Sequence, residues 1–193
     1  MPNTIRAFVA LNLPPGVIDL AAGLQSALKE RGLRLRWVRP QSIHLTLKFL
    51  GDISPGDAGA IGEAIQRAGR GMAPLQLTVQ GMGVFPGIKR PRVLWIGLGG
   101  QIEPLRLLYS RVEDELADLG VAREQRGFKA HLTLARFKQG GRASEVLEAI
   151  ASLGTYEPKS FAADRLVLYK SDLRPQGAVY TPLTEVPLAV HPA

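Results

Sequence analysis

The tetrapeptide His-Leu-Thr-Leu occurs twice in this chain, at 44–47 and at 131–134, each time inside a stretch that alternates between apolar and polar residues. Around the first copy, Ile43, Leu45, Leu47 and Phe49 fall on odd numbers, and Ser42, His44, Thr46 and Lys48 on even ones. That is the period of a strand with one buried face. His44 and Thr46 then share the polar face, roughly 6.6 Å apart along the backbone. In the second copy His131 and Thr133 share one face, with Ala130, Leu132 and Leu134 on the other. A chain with two such strands must give each an apolar layer to lie on while leaving an imidazole and a hydroxyl uncovered.

The rest of the sequence supplies those layers. Residues 6–13 read as a buried strand ended by Pro14-Pro15-Gly16, and 17–30 as a helix with Val17, Leu20, Ala21, Leu24 and Leu28 at helical spacing. A short strand at 35–38 precedes the first His-Leu-Thr-Leu strand. A helix over 56–70 and strands over 75–79 and 91–98 follow it, with the Gly/Pro-rich segment 81–91 read as a loop. The second half replays this order, with a helix over 105–119, the second strand, a helix over 143–153, and strands over 161–169 and 178–186 about a turn at Arg174-Pro175-Gln176-Gly177. Each half is helix, motif strand, helix, strand, strand. The expected fold class is α+β, a bilobal duplicated unit spanning 1–193 as one domain, with the two motif strands close together about a rough two-fold axis.

Composition narrows the function. The chain has 193 residues, 46% of them hydrophobic, and no cysteine, which excludes disulfides and thiolate chemistry. No run of about 18 apolar residues occurs and the N-terminus lacks the features of a signal peptide, so a cytoplasmic protein that does not span a membrane is expected. The formal net charge is +7. Arg31, Arg34, Arg36, Arg39 and Lys48 surround the first motif, and Arg123, Arg126, Lys129, Arg136 and Lys138 the second. Such clustering suits a polyanionic ligand, and equally a solvated basic surface.

If the two strands converge, two imidazoles and two hydroxyls meet around one point. With an ordinary pKa of about 6.5, one imidazole can be neutral and the other protonated near neutral pH. One can take a proton from water while the other gives one to a leaving oxygen. The hydroxyls of Thr46 and Thr133 can stabilise oxygens that gain charge. This toolkit fits in-line displacement at phosphorus, with no cofactor and no metal expected.

Paired His-x-Thr-x motifs in mirrored halves resemble the 2H phosphoesterase superfamily. The flanking residues are similar to its bacterial and archaeal RNA 2′,3′-cyclic phosphodiesterases, formerly called 2′-5′ RNA ligases. The similarity runs through Arg6-Ala7-Phe8-Val9-Ala10-Leu11, Trp37-Val38-Arg39-Pro40, the stretch from His44 to Gly51, Arg92 to Leu98, His131 to Arg136, Leu168-Tyr169-Lys170-Ser171 and Tyr180-Thr181-Pro182-Leu183. One departure is Ala130, where the family commonly has proline. The resemblance implies antiparallel sheets flanking a central cleft with helices outside, and metal-independent opening of a 2′,3′-cyclic phosphate to a 2′-phosphate. It further implies His44 and His131 as the acid/base pair, Thr46 and Thr133 as phosphate-contacting hydroxyls, Arg136 as a phosphate clamp and Phe49 as a base-stacking residue, and Lys48 is added to these as a substrate-binding cation. On an unbroken strand, however, Phe49 and Arg136 share a face with the leucines, so each strand must end, twist or bulge first. For Phe49, core packing is the favoured reading.

The expected partner is RNA with a 2′,3′-cyclic end, or a cyclic nucleotide, acted on by a monomer. Alternatives are ligation of such an end to a 5′-hydroxyl, and non-catalytic RNA binding; the latter would not require both histidines and both threonines. Within catalysis, His44 is expected as acid and His131 as base. Gly81-Met82-Gly83 lacks the helix that a dinucleotide fingerprint needs, and Gly97 to Gly100 lacks a P-loop lysine. Trp37 and Trp95 are read as core, and His191 as a solvated tail residue.

Overall fold

A computed structural model describes residues 3–138, 143–175 and 177–189, so His191 lies outside the described residues. In chain order the elements are β1 (Ile5–Leu11), α1 (Pro15–Glu30), β2 (Arg36–Trp37), β3 (Leu45–Ile53), α2 (Ala58–Gly69), β4 (Leu75–Phe85), β5 (Val93–Gly100), α3 (Ile102–Ala117), β6 (His131–Arg136), α4 (Ala143–Leu153), β7 (Lys159–Ala163), β8 (Arg165–Arg174) and β9 (Gly177–Pro187). The fold is α+β, with two antiparallel sheets in the orders β3-β1-β8-β9 and β2-β6-β5-β4-β7.

Each helix lays one apolar stripe on the sheets. On α1 the buried residues Val17, Ala21, Leu24 and Leu28 recur at helical spacing, and Leu105, Leu108, Val112 and Leu116 do the same on α3. These meet the inward faces of the strands (Leu45, Leu47, Leu77, Leu94, Ile96, Leu132 and Leu134) in a single continuous core. Burial of this kind contributes roughly 1.5–3 kcal/mol for each large aliphatic side chain.

Two sequence assignments are corrected. The segment 81–91 is not loop throughout: β4 continues to Phe85, because a register shift at Gly81 lets it keep pairing with β5 as far as Val93, and only 86–91 form the turn. The stretch 161–169 is not one strand: it divides at Asp164 into β7, which pairs with β4 in the second sheet, and β8, which pairs with β1 in the first. The repeat also begins one strand earlier than the sequence suggests. Its unit is β-α-β-α-β, made once by β1, α1, β3, α2 and β4, and again by β5, α3, β6, α4 and β8. Each unit places two strands in one sheet and its last strand in the other.

Candidate active site

The two motif strands enter the site by the same backbone device. On β3, Ala10 pairs with Thr46 and Val9 with Lys48, so Leu47 is skipped. On β6, Trp95 pairs with Thr133 and Leu94 with Ala135, so Leu134 is skipped. Each skip is a β-bulge that places two consecutive residues toward the core and reverses the faces beyond it. Leu47 and Lys48 are both buried, as are Leu134 and Ala135. The residue five after each histidine therefore returns to the histidine's face. The Leu134 carbonyl at the second bulge is satisfied by the backbone N–H of Val38 at 2.9 Å and by Nε2 of the buried Gln25 at 2.8 Å.

These bulges decide where three of the expected residues lie. Arg136 lines the cleft. Phe49 does not pack in the core: it is 62% exposed and lines the cleft as well. Lys48 is turned away from the cleft. It is 5% exposed, and its Nζ donates to Glu113 Oε2 at 2.8 Å and to the Ala122 carbonyl at 2.7 Å. The same Glu113 oxygen accepts the Glu124 backbone N–H at 3.0 Å. Lys48 thus ties β3 to α3 and to the connection leading into β6, and does not reach a ligand in the cleft.

His44, Thr46, His131 and Thr133 line one cavity of about 410 Å³ together with Phe49, Arg136, Arg6, Phe8, Ser171 and Tyr180. The two imidazoles are held alike. His44 Nδ1 lies 2.9 Å from the Ser42 carbonyl, and His131 Nδ1 lies 2.7 Å from the Lys129 carbonyl, each two residues back. A carbonyl only accepts, so each Nδ1 carries the proton and each neutral ring keeps its lone pair on Nε2.

Their surroundings differ. His44 stacks on Phe8 with centroids 4.5 Å apart and meets the edge of Tyr180 at 5.1 Å. Burial lowers its pKa to about 4, opposed by the Ser42 carbonyl and assisted by the charges of Arg136 and His131. His131 meets Phe85 edge-on at 5.0 Å, with Lys129 Nζ over the Phe85 ring at 5.3 Å. Its pKa is also lowered, by burial first and then by Arg136, while the Lys129 carbonyl opposes. Phe85 in turn stacks on Trp95 at 4.8 Å. Trp95 lies on the cleft-side face of its sheet, in register with Thr133, where sequence analysis placed it in the core. Its ring has room because Gly83, directly opposite, has no Cβ; one there would sit 2.5 Å from Cζ2.

Sequence reasoning missed Arg6 and Tyr180. Burial raises the Tyr180 pKa, while the Arg136 and Arg6 charges pull it down, so both guanidiniums act on this corner of the site. Arg6 opens an otherwise apolar strand, which was the available signal; Tyr180 carried none until β9 was paired with β8. Among the described residues no group of three or more His, Cys, Asp or Glu side chains is placed to hold a metal, and no helix is long and apolar enough to cross a membrane.

The fold is shared with solved structures. The crystal structure of TT0787 of Thermus thermophilus superimposes with a TM-score of 0.77 and 27% identity, covering 95% of this chain and 98% of that one. E. coli LigT in complex with 3′-AMP superimposes with a TM-score of 0.75 at 24% identity, covering 96% and 99%, which speaks to the fold. The chain belongs to the LigT-like phosphoesterase family, whose model matches it twice, over residues 11–95 and 96–180. Among relatives, an RNA 2′,3′-cyclic phosphodiesterase of Methanothermobacter thermautotrophicus is 32% identical over 92% of this chain and 95% of its own. One of Aquifex aeolicus is 32% identical over 95% and 97%.

Proposed function

We propose that this protein opens a 2′,3′-cyclic phosphate at an RNA or nucleoside end to a 2′-phosphomonoester, with His44 and His131 as its acid and base. The observation that carries this reading is the identical anchoring of the two imidazoles, each with Nδ1–H tied to a backbone carbonyl, beside a shared cavity that also receives both threonines. Relatives bearing the cyclic phosphodiesterase name at 32% identity over nearly the whole chain support the same substrate.

In this mechanism water attacks phosphorus in line with the departing 3′-oxygen. One neutral Nε2 takes the proton from water, the P–O3′ bond breaks, and the other imidazolium gives its proton to the 3′-oxygen. Thr46 and Thr133 donate to the non-bridging oxygens, and Arg136 opposes their charge. Phe49, standing free at the cleft wall, offers a face to the base.

The test is a defined RNA with a 2′,3′-cyclic end, incubated with and without EDTA. Turnover should survive the chelator, and the product should migrate with a 2′-phosphate standard and resist a phosphatase specific for 3′-phosphates. A 3′-phosphate product, or activity restored only by a divalent ion, rejects the mechanism. The acid/base labels are read by following the His44 ring resonances with and without bound 2′-phosphate product. For His44 to be the acid, the bound anion must lift its pKa well above 4; a value that stays near 4 makes His44 the base and His131 the acid.

A further inference from the structure

Among the described residues carboxylates pair with Lys48, Arg67, Arg106, Arg123, Arg165 and Lys170, and most other cations have no ion-pair partner. Arg6, Arg36, Arg39 and Arg136 are exposed, and none of them is in an ion pair among the described residues. Two of these, Arg6 and Arg136, line the cleft, and the other two continue outward from it.

Arg36 on β2 stands directly opposite Arg136 on β6. Opposed residues of an antiparallel pair share a face, with Cα atoms about 4.5–5.5 Å apart. The adjacent Trp37 faces the other way, where Lys29 of α1 lies 5.3 Å over its ring. Two guanidiniums are thereby held side by side on the cleft face, an arrangement that weakens the strand pair unless an anion lies between them. Arg39 runs along the tip of the β8–β9 hairpin, where a Cβ on Gly177 would sit 3.5 Å from its Nε; the next residue, Ala178, lines the cleft. A cyclic mononucleotide has one phosphate, which the two His/Thr pairs and Arg136 already serve. The two outer guanidiniums have nothing to bind on so small a ligand.

We propose that Arg36 and Arg39 form an exit track for the RNA chain, binding the backbone phosphates of the nucleotides that precede the cyclic end, so that the protein selects oligoribonucleotides over cyclic mononucleotides. The inference rests on the phosphodiesterase reading. Phosphodiester oxygens are the match for planar guanidiniums, which grip them through two parallel hydrogen bonds.

The experiment compares kcat/KM for a cyclic mononucleotide and for a hexaribonucleotide with the same cyclic end, in wild type and in the double variant Arg36→Gln, Arg39→Gln. In wild type the hexamer should be favoured, and its advantage should fall about sevenfold between 50 and 200 mM salt if two backbone phosphates are neutralised on a single strand. In the double variant the hexamer-to-mononucleotide ratio should approach one and lose its salt dependence, while Arg36→Lys, Arg39→Lys should keep part of both. Equal wild-type values for the two substrates at 50 mM salt, or a Gln variant that keeps the wild-type ratio, overturns the track. If wild type opens neither substrate, the phosphodiesterase reading fails, and the track is judged by the Kd of a fluorescein-labelled hexaribonucleotide. Weaker, less salt-dependent binding by the Gln variant then supports the track, and equal binding overturns it.

Discussion

Beyond its bulge β3 sends a lysine inward and a phenylalanine into the cleft, whereas β6 at the same two places sends an alanine inward and an arginine into the cleft. The histidines and threonines ahead of the bulges are identical, and even the Nδ1 contacts match. The difference teaches that the backbone geometry was kept in both halves while the side chains it presents diverged: one side offers an apolar face, the other a fixed positive charge. A base and a phosphate are the two parts of a nucleotide that such a pair of walls would separate.

The comparison breaks first at the histidines. If the halves serve one transition state, His44→Ala and His131→Ala should each cost about 10²–10⁴ in kcat, and the double variant should be little worse than the worse single one. Two small, multiplicative losses in a single-turnover assay would show that the halves act separately.

Next in size is the inward pair. Lys48→Met leaves Glu113 buried without its partner and should cost about 3–5 kcal/mol in a urea titration. Lys48→Met combined with Glu113→Leu should recover most of that loss. Replacing a lysine that serves only as a surface cation would instead be nearly neutral, so a change under about 0.5 kcal/mol would contradict the interior placement.

The outward pair should split by kinetic constant. Phe49→Ala should raise KM about tenfold for a nucleotide substrate through lost stacking and leave kcat near wild type, whereas Arg136→Ala should lower kcat as well. Equal effects on both constants at both positions would erase the proposed division between base and phosphate.

The smallest effect is a displacement in pH. Both imidazoles have folded pKa values below the ordinary 6.5, His44 at about 4. Lowering the base's pKa extends activity to lower pH, and lowering the acid's pKa ends it at lower pH, so the kcat/KM bell for the free enzyme should centre below 6.5. The bell for kcat should lie higher, because the bound phosphate anion favours both imidazoliums. Phe8→Leu, which opens the stack on His44, should move the His44 limb of the bell without moving that of His131. A flat profile from about pH 5 to 9 would contradict histidine catalysis altogether.

Much of this was legible in the sequence, and the failures share a physical cause. The motif strands and the four helices follow from local periodicity, while the convergence of His44, Thr46, His131 and Thr133 was expected only from the duplicated order and the family resemblance. Lys48, Phe49 and Arg136 could not be placed by periodicity, because a bulge is a property of two strands: it exists only where β3 meets β1 and β6 meets β5. Lys48 reads from sequence as a substrate-binding cation because its partner, Glu113, is 65 positions away. The stretch 161–169 read as one strand because each part has strand-like residues, and only the pairing with different sheets separates them. Tyr180 entered the site through β8–β9 pairing, and Arg36 through its register with Arg136.

The crossing of the last strand of each unit into the other's sheet has a further consequence. β8 completes the sheet begun by β1 and β3, and β4 completes the sheet of β5 and β6. A chain cut near residue 90 would yield two fragments, each with an unfilled strand position and each holding the strand the other lacks. Neither could close its own core, but mixed together they could rebuild the cleft. Likewise, a polypeptide of half this length could make such a cleft only by exchanging strands with a second copy of itself, and the resulting pair would be a symmetric dimer whose two histidines face each other across the two-fold axis.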